Sequence, residues 1–90
     1  MVKAVVLINV RSDLTNRASQ SLAETPGVVE VYSVAGNYDL VAVLAVPSNE
    51  ALADLVTEKI RSVAGVTRTE TLIAFRSYSG KEVEGLLTMD

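Results

Sequence analysis

An α+β sandwich of the ferredoxin-like βαββαβ type, a four-stranded antiparallel sheet with two helices on one face, is the fold class the sequence predicts. Four runs are rich in β-branched and alternating apolar residues, and two intervening runs carry apolar residues at helical spacing. A short phrase also repeats: Pro26-Gly27-Val28 and Ala64-Gly65-Val66 each follow a helical run and open a strand. Strand, helix, strand, strand, helix, strand is the order of two βαβ halves, which fold with both helices on the same side of the sheet.

The first strand spans Lys3 to Val10, with Ala4, Val6, Ile8 and Val10 on one face and Val5 and Leu7 on the other. Asp13 is the expected N-cap of the first helix. Leu14, Ala18 and Leu22 form that helix's apolar stripe, opposite Asn16, Arg17 and Gln20, and Pro26-Gly27 ends it. Val28 to Val34 and Tyr38 to Val46 read as a hairpin around Ala35-Gly36-Asn37, a break rich in turn formers. Pro47 and Ser48 open the second helix, whose stripe is Leu52, Leu55, Val56, Ile60 and Val63 against Glu50, Asp54, Glu58 and Arg61 outside. Gly65 stops it, and Val66 to Phe75 is the last strand, with Thr67, Thr69, Thr71, Ile73 and Phe75 on one face. Residues 1–76 are the folded domain; 77–90 form a tail in which Gly80 to Leu87 has room for one or two helical turns.

Two helices cover only one face of such a sheet, yet Val5, Leu7 and the run Leu40 to Val46 leave the other face apolar as well. An antiparallel sheet with a wet face shows polar residues there. A bare patch of several hundred Å² exceeds what a monomer ordinarily exposes. The expectation is a dimer packed sheet to sheet.

Composition removes several function classes. The chain has 90 residues, no Cys and no His, which excludes disulfides, thiolate metal sites and the commonest general base. Eight Lys and Arg against 11 Asp and Glu give a net charge of −3, with no basic cluster of the kind that reads nucleic acid. No apolar run reaches the roughly 20 residues needed to cross a bilayer, and the start of the chain lacks the pattern of a signal peptide. The expected location is the cytoplasm.

Nor does any nucleophile–base pair or glycine-rich phosphate loop assemble, so no catalytic residue, metal or cofactor is assigned. Asp39 stands apart, because it follows the Gly-Asn turn where the second hairpin strand begins. It reads either as a turn-capping aspartate bonded to nearby N–H groups or as the partner of a ligand ammonium, with turn N–H groups holding a carboxylate. Gly36 is then a turn glycine, and Tyr38 a cover for the sheet edge. Thr69 and Thr71 would add hydroxyls, although threonine is a common strand residue.

The hairpin from Val28 to Val43, with its Gly36-Asn37-Tyr38-Asp39 element, resembles that of the effector-binding (RAM) domain of the Lrp/AsnC feast/famine regulators. Ala64-Gly65-Val66-Thr67-Arg68-Thr69-Glu70-Thr71 is similar to the family's Pro-Gly-Val-x-x-Thr-x-Thr segment. The resemblance runs from residue 2 to about residue 76. It implies a dimeric α/β sandwich, rings of dimers, and small effectors, typically amino acids, bound between dimers. Gly36, Asn37, Tyr38 and Asp39 would form the effector loop, with Thr69 and Thr71 reaching it from a neighbouring subunit. Ala35 stands where the family often has Thr or Ser, and Ala64 where it usually has Pro. The resemblance further implies a stand-alone effector domain without the helix-turn-helix domain, acting as a sensor or by co-assembly with a full-length regulator. Two other readings are a small enzyme of the dimeric α+β barrel type and a purely structural assembly domain.

Overall fold

The structure is a computed structural model that describes residues 1–78 and 80. Its strands are β1 (Val2–Val10), β2 (Val28–Ser33), β3 (Leu40–Val46) and β4 (Val66–Ile73), with helices α1 (Thr15–Ala23) and α2 (Asn49–Asp54). The strands form one antiparallel sheet in the order β2-β3-β1-β4, as the βαββαβ pattern predicts. The two central strands are the two most apolar ones. Ala4, Val6, Ile8 and Val10 of β1 are buried together with Leu40, Ala42, Leu44 and Val46 of β3. The register sets Val6 against Ala42 and Ile8 against Leu40, and antiparallel partners share a face. Ala18 and Leu22 of α1, with Leu52, Leu55 and Ile60 beyond them, close that face.

The first helix starts differently from the prediction. Asp13 does not cap it: its carboxylate takes the guanidinium of Arg11 at 2.9 Å on the surface. Neither Arg11 nor Leu14 supplies a side-chain cap. Instead Ser12–Leu14 tighten into a 3-10 turn in which Leu14 N–H donates to the Arg11 carbonyl at 3.0 Å, one of the ways a helix start satisfies its free N–H groups.

The second helix begins as expected, with the Ser48 hydroxyl accepting from Ala51 N–H at 3.1 Å. After Asp54 it widens into a π-helical segment, Leu55–Ile60, with Arg61 N–H donating to the Val56 carbonyl at 3.2 Å. Bonding from i to i+5 brings residues five apart closer to one line, and Leu55 and Ile60 are both buried.

Strand ends are shorter than the sequence pattern. β2 stops at Ser33, β3 starts at Leu40, and β4 stops at Ile73 although Ala74 N–H still donates to the Lys3 carbonyl at 2.9 Å. Phe75 falls outside the sheet and is 98% exposed. Thr69, Thr71 and Ile73 share the helix-side face, opposite Ile8, Val6 and Ala4. A register shift beside Asn9 and Val10 leaves Thr67 as an extra residue in β4, outside the predicted alternation. The expected helical turns of the tail lie outside the described residues, apart from Gly80.

The other face of the sheet carries Val5, Leu7, Val41, Val43 and Ala45, all half-buried by their neighbours, and both helices lie on the opposite side. Tyr32 and Leu72 flank them, 47% and 51% exposed. Among the described residues no helix is long and apolar enough to cross a membrane.

Candidate functional site

The segment joining β2 to β3 is held by three backbone-directed bonds. Val34 N–H donates to the Asp39 carbonyl at 3.0 Å, and Asp39 N–H donates to the Ile8 carbonyl at 3.0 Å. The Asp39 carboxylate then accepts from Val10 N–H at 2.9 Å. The β1–β3 ladder ends at the pair Ile8–Leu40, so Asp39 supplies the next acceptor with its side chain and fastens the turn to the end of β1. Of the two readings of Asp39, the turn-fixing one is therefore visible directly in the chain. Only one carboxylate oxygen is used in this bond.

Gly36, at the apex, has φ +129°, and a Cβ placed there would meet no atom within 4 Å. The apex is open, and Asn37 beside it is exposed. Tyr38 points elsewhere. Its hydroxyl donates to the Glu70 carboxylate at 3.0 Å, and the Arg68 guanidinium carbon lies 5.8 Å from its ring centroid. The Glu70 bond pushes the phenol above its ordinary pKa, desolvation and the Glu70 charge add to this, and Arg68 opposes it. Glu70 pairs with Leu7 across the ladder, which places it on the helix-free face. Tyr38 thus ties the turn to β4 on the very side that no helix covers.

Gly36, Asn37, Tyr38 and Asp39 are contiguous, but the chain does not bring Thr69 and Thr71 to them. Both threonines stand on the helix-side face. Thr71 lines an apolar groove of about 250 Å³ with Leu52, Val56 and Ile73. Thr69 lines a separate polar pocket with Arg61, Val66, Thr67 and Arg68. Arg68 and Glu70 are marked in the sequence only by their alternation with Thr69 and Thr71, which puts these charged residues on the opposite strand face. Among the described residues no group of three or more acidic side chains is placed to hold a metal ion.

Comparison with known proteins places this geometry in a family. The model of the Lrp/AsnC ligand binding domain matches residues 3–83. An HTH-type transcriptional regulator of Pyrococcus horikoshii is 37% identical over 65 residues, a match that takes in 71% of this chain and 43% of that regulator. The chain spans about half the length of the curated relatives it matches. Among solved structures, the protein TTHA0845 from Thermus thermophilus is 49% identical with a TM-score of 0.85, over 89% of this chain and 100% of that one. A feast or famine regulatory protein from M. tuberculosis, complexed with L-methionine, is 30% identical with a TM-score of 0.76, over 90% of this chain and 54% of that one. With a family model covering most of its length and a matching sheet, helices and hairpin, this chain belongs to the Lrp/AsnC ligand-binding domain family.

Proposed function

We propose that the chain is an amino-acid effector-binding and oligomerisation module of transcriptional regulation, with no catalytic role. The observation that carries this reading is the open Gly36-Asn37 apex beside a carboxylate that is anchored through one oxygen. Asp39 offers its negative charge to an ammonium without releasing the turn, while exposed turn N–H groups face a carboxylate. The L-methionine complex of the M. tuberculosis relative supports an amino acid as the ligand. Thr69 and Thr71, lying apart from their own chain's turn, complete the site from a neighbouring subunit. The apolar helix-free face is covered by a second copy, and dimers assemble further into a ring in the cytoplasm. Residues 1–76 carry these roles. A full-length regulator of the family is a fitting co-assembly partner; direct contact with nucleic acid is not expected at a net charge of −3.

Calorimetry and thermal melts with a panel of free amino acids, L-methionine included, test this. A ligand at a hundred times its Kd stabilises a fold by about 2.7 kcal/mol, which raises the Tm of a small domain by several degrees. Asp39→Asn keeps an acceptor for Val10 N–H but removes the charge, so the melt without ligand should hardly move while the ligand shift disappears. A panel that shifts nothing at millimolar concentration, with the dimer intact, leaves the purely structural reading instead.

A further inference from the structure

Strand β4 closes the sheet order β2-β3-β1-β4, so among the described residues its outer side has no strand neighbour. Ala74 N–H donates to the Lys3 carbonyl at 2.9 Å, and Ile73 stands opposite Ala4. Hydrogen-bonded and non-hydrogen-bonded pairs alternate along an antiparallel ladder. Thr71 and Ile73 therefore turn their N–H and C=O groups outward, away from β1. An edge of this kind is a template for a further strand.

Side chains mark the same edge. Leu72 and Ile73, on opposite faces of β4, are 51% and 54% exposed. On the helix side, Thr71 and Ile73 line the apolar groove with Leu52 and Ala53 of α2 and Val56 and Thr57 of the π-helical segment. Part of the wall is thus the widened helix, and π-helical turns recur at functional sites. At about 250 Å³ the groove is smaller than the roughly 300–1,000 Å³ of small-molecule clefts. It suits a few apolar side chains presented by a peptide.

The chain carries such a peptide. Val83, Gly85, Leu87 and Met89 alternate with Glu84, Leu86 and Thr88. At the two-residue period of a strand, Val83, Leu87 and Met89 share one face and Leu86 lies on the other. Helical spacing would instead group Val83 with Leu86 and Leu87, and would leave the outward N–H groups of β4 unpaired. The family match ends at residue 83, so Gly85 to Met89 lie beyond it. Residues 74–82 join the edge to this segment. Such a stretch reaches about 30 Å when extended, while neighbouring strands stand only about 4.8 Å apart. Ser77, Ser79 and Gly80 within it are turn formers. Covalent attachment also holds the segment at an effective concentration in the millimolar range, which favours a chain's own tail over that of another copy.

We propose that residues 83–89 return antiparallel along the outer edge of β4 as a fifth strand, with Val83, Leu87 and Met89 over the groove and Leu86 beside Leu72. This goes beyond the effector reading and makes no use of the Asp39 turn. Thr71 is the one residue the two share, and a seated tail competes with a neighbouring subunit for it.

Amide exchange and methyl contacts, followed by NMR in the full chain, test this. Thr71 and Ile73 N–H should exchange at least tenfold more slowly than in the Leu87→Asp/Met89→Asp double variant, and Leu87 and Met89 should show contacts to Val56 and Ile73. Both substitutions lie outside the sheet and helices, so exchange at Val6 and Leu44 in the central strands should stay unchanged and report an intact fold. A mixture of differently labelled chains separates the two sources of the strand. Contacts within one chain support the proposal; contacts only between chains assign the groove to a second copy's tail and overturn it. Fast exchange at Thr71 and Ile73 in the unaltered chain, protection that survives the double variant, or helical chemical shifts over residues 83–89 overturn it as well.

Discussion

At the scale of single residues, three positions bear most of the geometry around the turn. Asp39→Ala removes the acceptor from Val10 N–H, and a bond of that kind contributes about 1 kcal/mol. Chemical denaturation should show a loss of that size for Asp39→Ala and a smaller one for Asp39→Asn. Glycines separate backbone strain from crowding. Gly36→Ala meets only open space, so its cost is the unfavourable φ of +129°, about 1–2 kcal/mol. Gly65→Ala adds a Cβ 2.8 Å from Leu14 Cβ at φ +96°, and should cost at least about 1 kcal/mol more, since overpacking adds to strain. Tyr38 gives a pH signature. Its phenol is raised by Glu70, so the bond stabilises the fold fully below the ordinary tyrosine pKa of about 10 and is lost as pH rises through the higher folded value. An ultraviolet phenolate titration should show late-titrating tyrosines, with one fewer in Tyr38→Phe; Tyr32, held up by Glu30, accounts for another.

The elements show why some features were readable from the chain and others were not. Periodicity placed every strand and both helices, because burial of one face is a requirement each element meets by itself. Leu52, Leu55 and Ile60 were all assigned to the core correctly, yet the π-helical widening that aligns Leu55 with Ile60 leaves no mark in a list of apolar positions. Ile60→Ala tests how much that segment matters. Ile60 has no exposed surface, and truncating it should cost roughly 2–5 kcal/mol in a denaturant melt. The Asp13 cap failed for a related reason. An aspartate at a helix start has several partners within reach, and Arg11 two residues away takes the carboxylate on the surface. The site divides in the same way. The Gly-Asn turn is local chemistry and was legible, and Asp39 was singled out with both of its roles. The bond to Val10 and the Tyr38–Glu70 contact join residues 29 and 32 positions apart, so they depend on strand order and register. Thr69 and Thr71 were read as alternating residues of one face, which the ladder shows, but that face is the one under the helices.

For the molecule as a whole, the helix-free face of Val5, Leu7, Val41 and Val43 is the surface that calls for a cover. Leu7 sits near its middle, on the central strand β1, with Val5 and Asn9 along the strand and Val41 and Glu70 across from it. That placement makes Leu7→Lys an informative change. A lysine there meets Glu70 directly across the ladder, and opposite charges in such a pair support a sheet, so the folded subunit should survive. In a two-fold dimer packed through this face the same substitution occurs twice. Each removes an apolar side chain worth about 1.5–3 kcal/mol when buried and sets a cation against a greasy surface. The combined loss of roughly 3–6 kcal/mol weakens association by two to four orders of magnitude. Sedimentation at micromolar protein should then show the unaltered chain as a dimer or larger and Leu7→Lys as a single folded subunit. An unaltered chain that sediments as a monomer would mean that Val5, Leu7, Val41 and Val43 stand in water, and the neighbour-completed effector site would lose the assembly it depends on.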